Sequence, residues 1–123
     1  MVKTYRKGYM AERELVHKLY GFGYAVMRAP RSGRINLPMP DIIAIKNSKI
    51  LIIECKCRGD AFSIPKEQIA ELDEWIKRTS GTGYIAWKIT RRGWFFIGLE
   101  KVKENRGNVN KGMLKTAIGI ELL

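Results

Sequence analysis

The sequence predicts a single α/β domain, residues 1–123, with one buried strand at its centre. At 123 residues the chain is long enough to enclose one core but not two. Residues 49–57 are apolar on both faces of the predicted strand, which is typical of a central strand covered on both sides. Residues 11–20 and 65–79 have the apolar spacing of amphipathic helices.

The remaining elements are less regular. A strand over residues 24–29 leads into a loop, residues 30–40, whose three prolines prevent it from continuing a sheet and leave it free to contact a ligand. Residues 83–89 and 94–100 predict a hairpin. The end of the chain is predicted as a polar linker, residues 103–112, followed by a short segment that is either strand or helix.

An earlier hairpin brings two carboxylates together. Its strands, residues 41–46 and 49–57, are joined by a two-residue turn, and this pairing sets Asp41 opposite Glu54. Cross-strand partners have Cβ atoms about 4.5–5.5 Å apart, and like charges at that distance repel each other. A pair that lowers stability indicates a functional site.

Lys56 lies on the same face of the strand as Glu54, because side chains alternate along a strand. Mg²⁺ prefers hard oxygen ligands, a few of them from the protein and the rest from water and a substrate phosphate. Asp41, Glu54 and Lys56 therefore favour a nuclease site. The alternative is a pair of solvated acids at a strand end, beside a lysine that forms salt bridges.

Glu12 is a third carboxylate of interest. At about 100° per residue, Leu19 and Leu15 lie about 20° and 60° from Glu12, which places it on the apolar face of its helix, whereas Glu14 falls on the opposite, exposed side. A buried carboxylate is costly unless it is paired or bound to a metal. Either Arg13 or another cation neutralises Glu12, or Glu12 joins the metal site, and we favour the metal site.

The charge balance favours a polyanionic partner. Lys and Arg number 23 against 12 Asp and Glu, which gives a net charge of +11 at pH 7. Residues 1–59 hold twelve basic and four acidic side chains, and three of the four acids are Glu12, Asp41 and Glu54. Acidic side chains in this half of the chain thus lie mainly at the candidate site. This distribution suits a protein that binds a metal ion through the acids and phosphate through the surrounding basic side chains. The alternative is a basic protein that is merely soluble.

Other classes of site have little support. Cys55 and Cys57 lie on one strand face, poorly placed for a disulfide, and with one histidine in the chain they are poor candidates for zinc. We expect them to be small core residues. No run approaches about 18 apolar residues and no apolar signal core is present, so we expect a cytoplasmic protein with no membrane association and no small-molecule cofactor.

A series of short motifs lies between residues 3 and 100. In chain order they are Arg6-Lys7-Gly8, Ala11-Glu12-Arg13-Glu14, Arg28, Ser32-Gly33, Pro40-Asp41-Ile42, Ile53-Glu54-Cys55-Lys56, Ala86-Trp87-Lys88 and Gly93-Trp94-Phe95-Phe96. Together they resemble the archaeal Holliday junction resolvase family. The motif from Asp41 to Lys56 indicates only the wider restriction-endonuclease-like superfamily, whereas the first two motifs are the discriminating ones.

The resemblance implies a restriction-endonuclease-like fold, with a central mixed β-sheet flanked by α-helices. It also implies a homodimer that nicks symmetric strands of four-way DNA junctions with Mg²⁺, for which Mn²⁺ would substitute. The catalytic residues it implies are Glu12, Asp41, Glu54 and Lys56. Asp41, Glu54 and the Cys55 carbonyl would hold the metal, with Glu12 as a candidate further ligand. The candidate DNA contacts are Arg6, Lys7, Arg13, Arg28, Arg31, Ser32 and Arg34.

Two other functions remain open. One is a nuclease of the same fold that acts on mismatches, flaps or simple duplex, and the other is a catalytically silent DNA-binding subunit. In a dimer we expect Trp87, Trp94, Phe96 and residues 118–123 to be covered, because they are apolar groups beyond those that a small core requires.

Overall fold

The structure of the protein is a computed structural model that describes residues 2–30 and 36–123, with side chains from Lys7 onward in the first range. Three of the candidate DNA contacts, Arg31, Ser32 and Arg34, lie outside the described residues, as does the side chain of Arg6.

A mixed five-stranded sheet forms the centre of the fold. In chain order the elements are α1 (Val2–Gly21), β1 (Ala25–Arg28), β2 (Ile42–Lys46), β3 (Lys49–Cys57), β4 (Phe62–Ser63), α2 (Lys66–Thr79), β5 (Thr82–Ile89), β6 (Gly93–Gly98), α3 (Leu99–Glu104) and β7 (Asn108–Val109). The sheet order is β1-β2-β3-β5-β6, with β3 and β5 parallel and the other neighbours antiparallel. β4 and β7 form a separate pair. The predicted mixed sheet is confirmed.

The hairpin of β2 and β3 has the predicted register. It runs from Lys46 opposite Lys49 to Ile42 opposite Ile53. The turn residues 47–48 both have positive φ, 49° and 69°, which is the backbone geometry that a two-residue hairpin turn requires. The two carboxylates of the hairpin follow directly beyond the last of these pairs.

Helices cover both faces of the sheet, as the resemblance implied. α2 connects the parallel strands β3 and β5, and its Leu72 packs in one core cluster with Ile52 and Trp87. On the opposite face, Leu15 and Leu19 of α1 belong to a second cluster. All five side chains are at most 1% exposed, and full burial of an aliphatic side chain stabilises the fold by about 1.5–3 kcal/mol. No helix in the described part of the chain is long and apolar enough to cross a membrane.

Several predicted boundaries were wrong. α1 begins at Val2 and not at residue 11, because Gly8, a weak helix former, hides the continuation of the helix. The predicted polar linker, residues 103–112, contains the end of α3 and all of β7, and Val109 within it is 1% exposed. A single apolar residue between polar neighbours gives no periodic signal. The last segment forms two short 3-10 helices, Lys111–Lys115 and Ile120–Leu122.

Most of the apolar patch predicted for dimerisation is covered within the chain. Trp87 and Phe96 are 0% and 1% exposed, whereas Leu122, at the end of the patch, is 68% exposed. The end of the chain folds back onto the sheet, where Ile118 and Phe96 exchange two backbone hydrogen bonds of 2.9 and 3.0 Å, and this long-range contact was not visible in the sequence. Outside the predicted patch, large apolar side chains are exposed at Tyr9, Met10, Tyr20, Phe22, Met27, Leu37, Met39 and Ile45.

Candidate active site

Three carboxylates from separate parts of the chain line one cleft. The cleft has a volume of about 270 Å³, and its walls include Glu12, Asp41, Glu54, Lys56 and Gln68. Glu12 comes from α1, Asp41 directly precedes β2, and Glu54 and Lys56 come from the second half of β3. The fold thus brings together the four residues that we predicted to be catalytic.

Two backbone hydrogen bonds fix Asp41. The Cys55 N–H donates to Oδ2 of Asp41 at 2.9 Å, and the Ala29 N–H donates to the Asp41 carbonyl oxygen at 2.9 Å. The strand pairing itself ends at Ile42. Asp41 therefore reaches β3 through its side chain and not through the backbone pair with Glu54 that the sequence predicted. The Asp41 carboxylate thus accepts a hydrogen bond from the backbone of β3 just beyond the point where the strand pairing ends.

Glu54 is buried, with 5% of its surface exposed. Its Oε2 accepts a hydrogen bond from Nε2 of Gln68 at 2.6 Å. Burial is the largest cause that raises the pKa of Glu54 from 4.5 to about 8, the charge of Asp41 is the next, and the charge of Lys56 acts in the opposite direction. A hydrogen bond between the two carboxyl groups adds to the rise. Glu54 is therefore mostly protonated at neutral pH in the metal-free protein, beside Asp41.

Glu12 is also 5% exposed, which confirms its predicted place on the apolar face of the helix. The Arg28 Nε donates to its Oε1 at 3.0 Å. The Arg28 guanidinium lies 4.2 Å from the centre of the Tyr9 ring and donates to the Tyr9 carbonyl oxygen at 3.3 Å. A cation thus neutralises Glu12, as one of our alternatives held, and that cation is Arg28 and not the exposed Arg13. Glu12 still lines the cleft.

The donor set fits a hydrated divalent cation. Within residues 2–30 and 36–123, no three His, Cys, Asp or Glu side chains are grouped as a metal cage. Two carboxylates with a backbone carbonyl and water are nevertheless the set that Mg²⁺ accepts. Burial, and then the charge of Asp41, raise the pKa of the Cys55 thiol, so Cys55 offers its carbonyl oxygen and not a thiolate. A cation between Asp41 and Glu54 would replace the proton of Glu54.

The described candidate DNA contacts fall into two groups. Lys7 and Arg13 are exposed on α1. Lys7 also lines an open groove with Lys88 and Arg91, and this groove adjoins the cleft because two residues line both. Arg28 forms the second group, because its side chain is only 21% exposed and is engaged in the ion pair with Glu12.

Sequence reasoning missed two polar contacts. Gln68 lies in the first turn of α2, where a polar residue on an amphipathic helix gives no particular signal. Glu14 was predicted on the exposed side of α1, but it forms an ion pair with Lys88 and accepts a hydrogen bond from Nε1 of Trp94 at 3.2 Å. The bond to Lys88 is the main cause that lowers the pKa of Glu14. Lys88 and Trp94 both lie more than 70 residues from Glu14 in the sequence, so no local sequence pattern could reveal these two contacts.

Relatives with the same architecture are known. A family profile described as "Archaeal holliday junction resolvase (hjc)" matches residues 3–123. "Crossover junction endodeoxyribonuclease Hjc" of Sulfurisphaera tokodaii is 35% identical over 118 residues, which cover 87% of this chain and 81% of the relative. The protein of that name from Sulfolobus acidocaldarius is 40% identical over 88 residues, 69% of this chain, and the match spans 62% of the relative's length, less than two thirds.

The fold also matches a solved structure. The Holliday junction resolvase Hjc of Archaeoglobus fulgidus superposes with a TM-score of 0.80 at 24% identity, over 89% of this chain and 93% of that one. This likeness supports the restriction-endonuclease-like fold. The family itself is shown by the profile over residues 3–123: the chain belongs to the archaeal Holliday junction resolvase family.

Proposed function

We propose that this protein is a metal-dependent endodeoxyribonuclease that resolves four-way DNA junctions by paired nicks. The observation that carries the proposal is the pair formed by the half-buried Asp41 and the buried Glu54, with Lys56 beside it, in a cleft of a chain whose net charge is +11. The two relatives are both named crossover junction endodeoxyribonuclease, and that name points to the same chemistry.

Asp41, Glu54 and the Cys55 carbonyl would hold Mg²⁺, with Mn²⁺ as a substitute, and Glu12 is a candidate further ligand. The bound ion would polarise a phosphate and lower the pKa of a water molecule. Lys56 would orient or deprotonate the attacking water and offset negative charge on the phosphate as it is attacked. Arg28 would act through Glu12, by keeping that buried carboxylate in place.

The DNA backbone would follow the basic groove next to the cleft. Lys7, Lys88 and Arg91 line that groove, and cationic side chains along a groove bind phosphates without reading sequence. Glu14 already forms an ion pair with Lys88. A phosphate would therefore compete with a carboxylate for this lysine, so Lys7 and Arg91 would be the more available cations.

Symmetric resolution requires two active sites, and among the residues that the structure describes in one chain Asp41 and Glu54 form one such site. A homodimer with a twofold axis would supply the second site. We propose that the dimer face is an apolar patch formed by Met27, Leu37, Met39, Ile45 and Trp75. Four of these side chains are 37% to 71% exposed, and Trp75 joins the patch to the 36–40 loop by donating from Nε1 to the Pro38 carbonyl at 2.8 Å.

The first prediction concerns the two carboxylates. With Mg²⁺, the wild-type protein should cleave a mobile four-way junction and leave linear duplex of the same sequence intact. Asp41→Asn and Glu54→Gln should each abolish cleavage, because each removes a ligand oxygen charge. Both should bind the junction in EDTA at least as tightly as wild type, because Asp41→Asn removes a negative charge near phosphate and Glu54→Gln replaces a side chain that is already mostly neutral at pH 7. Gel assays of nicking and binding measure both properties.

The exposed Glu71→Gln on α2 serves as the control and should cleave at the wild-type rate. Near wild-type cleavage by either site variant would contradict the site. Equal cleavage of duplex would favour a nuclease with other substrates, and binding without any cleavage would favour the silent subunit.

The second prediction concerns pH. Glu54 has a pKa of about 8 in the fold and 4.5 without it, so the fold favours the neutral acid. The stabilisation that comes from the raised pKa of Glu54 is fully present below pH 4.5 and is lost as pH rises through 8. Melting temperatures measured in EDTA between pH 5 and 9 should therefore fall less steeply with pH for Glu54→Gln than for wild type or Glu71→Gln. An unchanged slope would show that Glu54 is not buried as a neutral acid.

The third prediction separates charge from chemistry at Lys56. Lys56→Ala should lower the single-turnover cleavage rate by about 10²- to 10⁴-fold, the usual contribution of a positioned proton donor or acceptor, and should change junction affinity little. Lys56→Arg keeps the charge but not a titratable amine, so it should also be slow. Lys77→Ala, an exposed lysine of α2, is the control. Full activity of Lys56→Arg would mean that only the charge matters.

The fourth prediction concerns assembly. Light scattering should give about 28 kDa, twice the chain mass of 14.1 kDa. Met27→Glu, in the proposed face, should shift the protein toward a monomer. Tyr20→Glu replaces a side chain that is 70% exposed at the end of α1 and should leave the dimer intact. Paired cleavage by a protein that remains monomeric at micromolar concentration would contradict the dimer, and a Met27→Glu dimer would contradict this face.

A further inference from the structure

Gln68 contacts the candidate metal ligands from the opposite side of the cleft to α1. It is the third residue of α2, and its backbone N–H donates to the Pro65 carbonyl at 3.0 Å. Ile69 and Leu72 of the same helix pack into the core. The helix is thus fixed against the sheet, and the Gln68 side chain reaches Glu54 without needing a mobile loop to close.

The orientation of the Gln68 amide follows from its partner. Nε2 of Gln68 donates to Oε2 of Glu54 at 2.6 Å, and the carboxyl group of Glu54 is also hydrogen-bonded to Asp41, which accounts for its proton, so the NH₂ group of Gln68 faces Glu54. The other end of the amide, Oε1, is then left buried, and it has no hydrogen-bond partner among the described residues. No other buried side-chain nitrogen or oxygen in that part of the chain lacks one.

A buried acceptor without a donor is destabilising, so its presence calls for an explanation. Gln68 lines the same cleft as Asp41 and Lys56. A donor can therefore arrive from the cleft itself, and a water molecule is the smallest one that fits.

We propose that Gln68 is a positioning residue with two tasks. Its N–H holds the Glu54 carboxylate, and its Oε1 accepts a hydrogen bond from water that enters the cleft together with the divalent cation. The inference rests on the proposed function, because it assumes that the cleft binds such a cation.

A neutral amide suits this position better than a charged side chain. Lysine or arginine next to Glu54 would neutralise the carboxylate and compete with the cation for it. An amide restrains Glu54 and leaves its negative charge available. Groups that orient a ligand in this way typically contribute 10- to 100-fold to metal affinity.

Gln68→Met tests the proposal, because methionine has a similar length and no polar group. We would measure Mg²⁺ binding to the DNA-free protein by calorimetry, melting temperature in EDTA, and the Mg²⁺ dependence of junction cleavage. We expect Mg²⁺ affinity to fall about 10-fold or more. The melting temperature in EDTA should equal or exceed that of wild type, since the buried acceptor is gone. Junction affinity in EDTA should not change, and high Mg²⁺ should partly restore cleavage.

Glu71→Met, an exposed position one turn further along α2, is the matched control and should bind Mg²⁺ as wild type does. If Gln68→Met does not fold, Gln68→Asn keeps the amide but shortens its reach, and it should show the same loss of Mg²⁺ affinity. Mg²⁺ affinity within twofold of wild type, accompanied by a lower melting temperature in EDTA, would overturn the proposal and make Gln68 a structural tie. Wild-type protein that binds no Mg²⁺ at all would overturn the proposed function and this inference together.

Discussion

The register of the β2–β3 hairpin is the constraint on which the candidate site depends. It places Ile42 opposite Ile53, and the next residues along the two strands are Asp41 and Glu54. A slip by one residue would turn every side chain of a strand to the other face. Ile52 and Ile53 are both completely buried, on opposite faces of the sheet, so the packing of both layers resists such a slip. The acids stay together because their apolar neighbours cannot move.

The acid pair is costly for the free protein. A rise in the pKa of Glu54 from 4.5 to about 8 corresponds to roughly 5 kcal/mol against ionisation in the fold. Burial of two or three core side chains contributes a similar amount. In the proposed function, a cation bound between Asp41 and Glu54 would offset this cost, but it would first have to displace the proton of Glu54. Burial is the largest cause of the raised pKa and the charge of Asp41 is the next, so the cost comes more from the buried position of Glu54 than from its acidic neighbour.

Local patterns in the sequence were sufficient for the hairpin, for α2 and for the placement of Glu12, because each depends on periodicity over a few residues. The partners of Glu12 and Glu14 could not be predicted in this way. Arg28 lies sixteen residues from Glu12, and Lys88 lies 74 residues from Glu14, so only the packing of α1 across the sheet brings them together. The same limit explains why the last segment was not assigned. Its bridge to Phe96 is a tertiary contact, and residue type alone carries no signal for it.

The three acids of the cleft are not equivalent. Glu12 already has a guanidinium 3.0 Å away, so its charge is largely balanced before any ion arrives. Asp41 and Glu54 instead raise each other's cost of ionisation, and Lys56 reduces it only in part. A divalent cation therefore gains most between Asp41 and Glu54. Removing Arg28 would take a cationic partner away from a buried carboxylate, which is destabilising. Arg28 thus holds Glu12 in place, whereas in the proposed function the exposed Lys7 and Arg91 of the neighbouring groove would be the cations available to DNA.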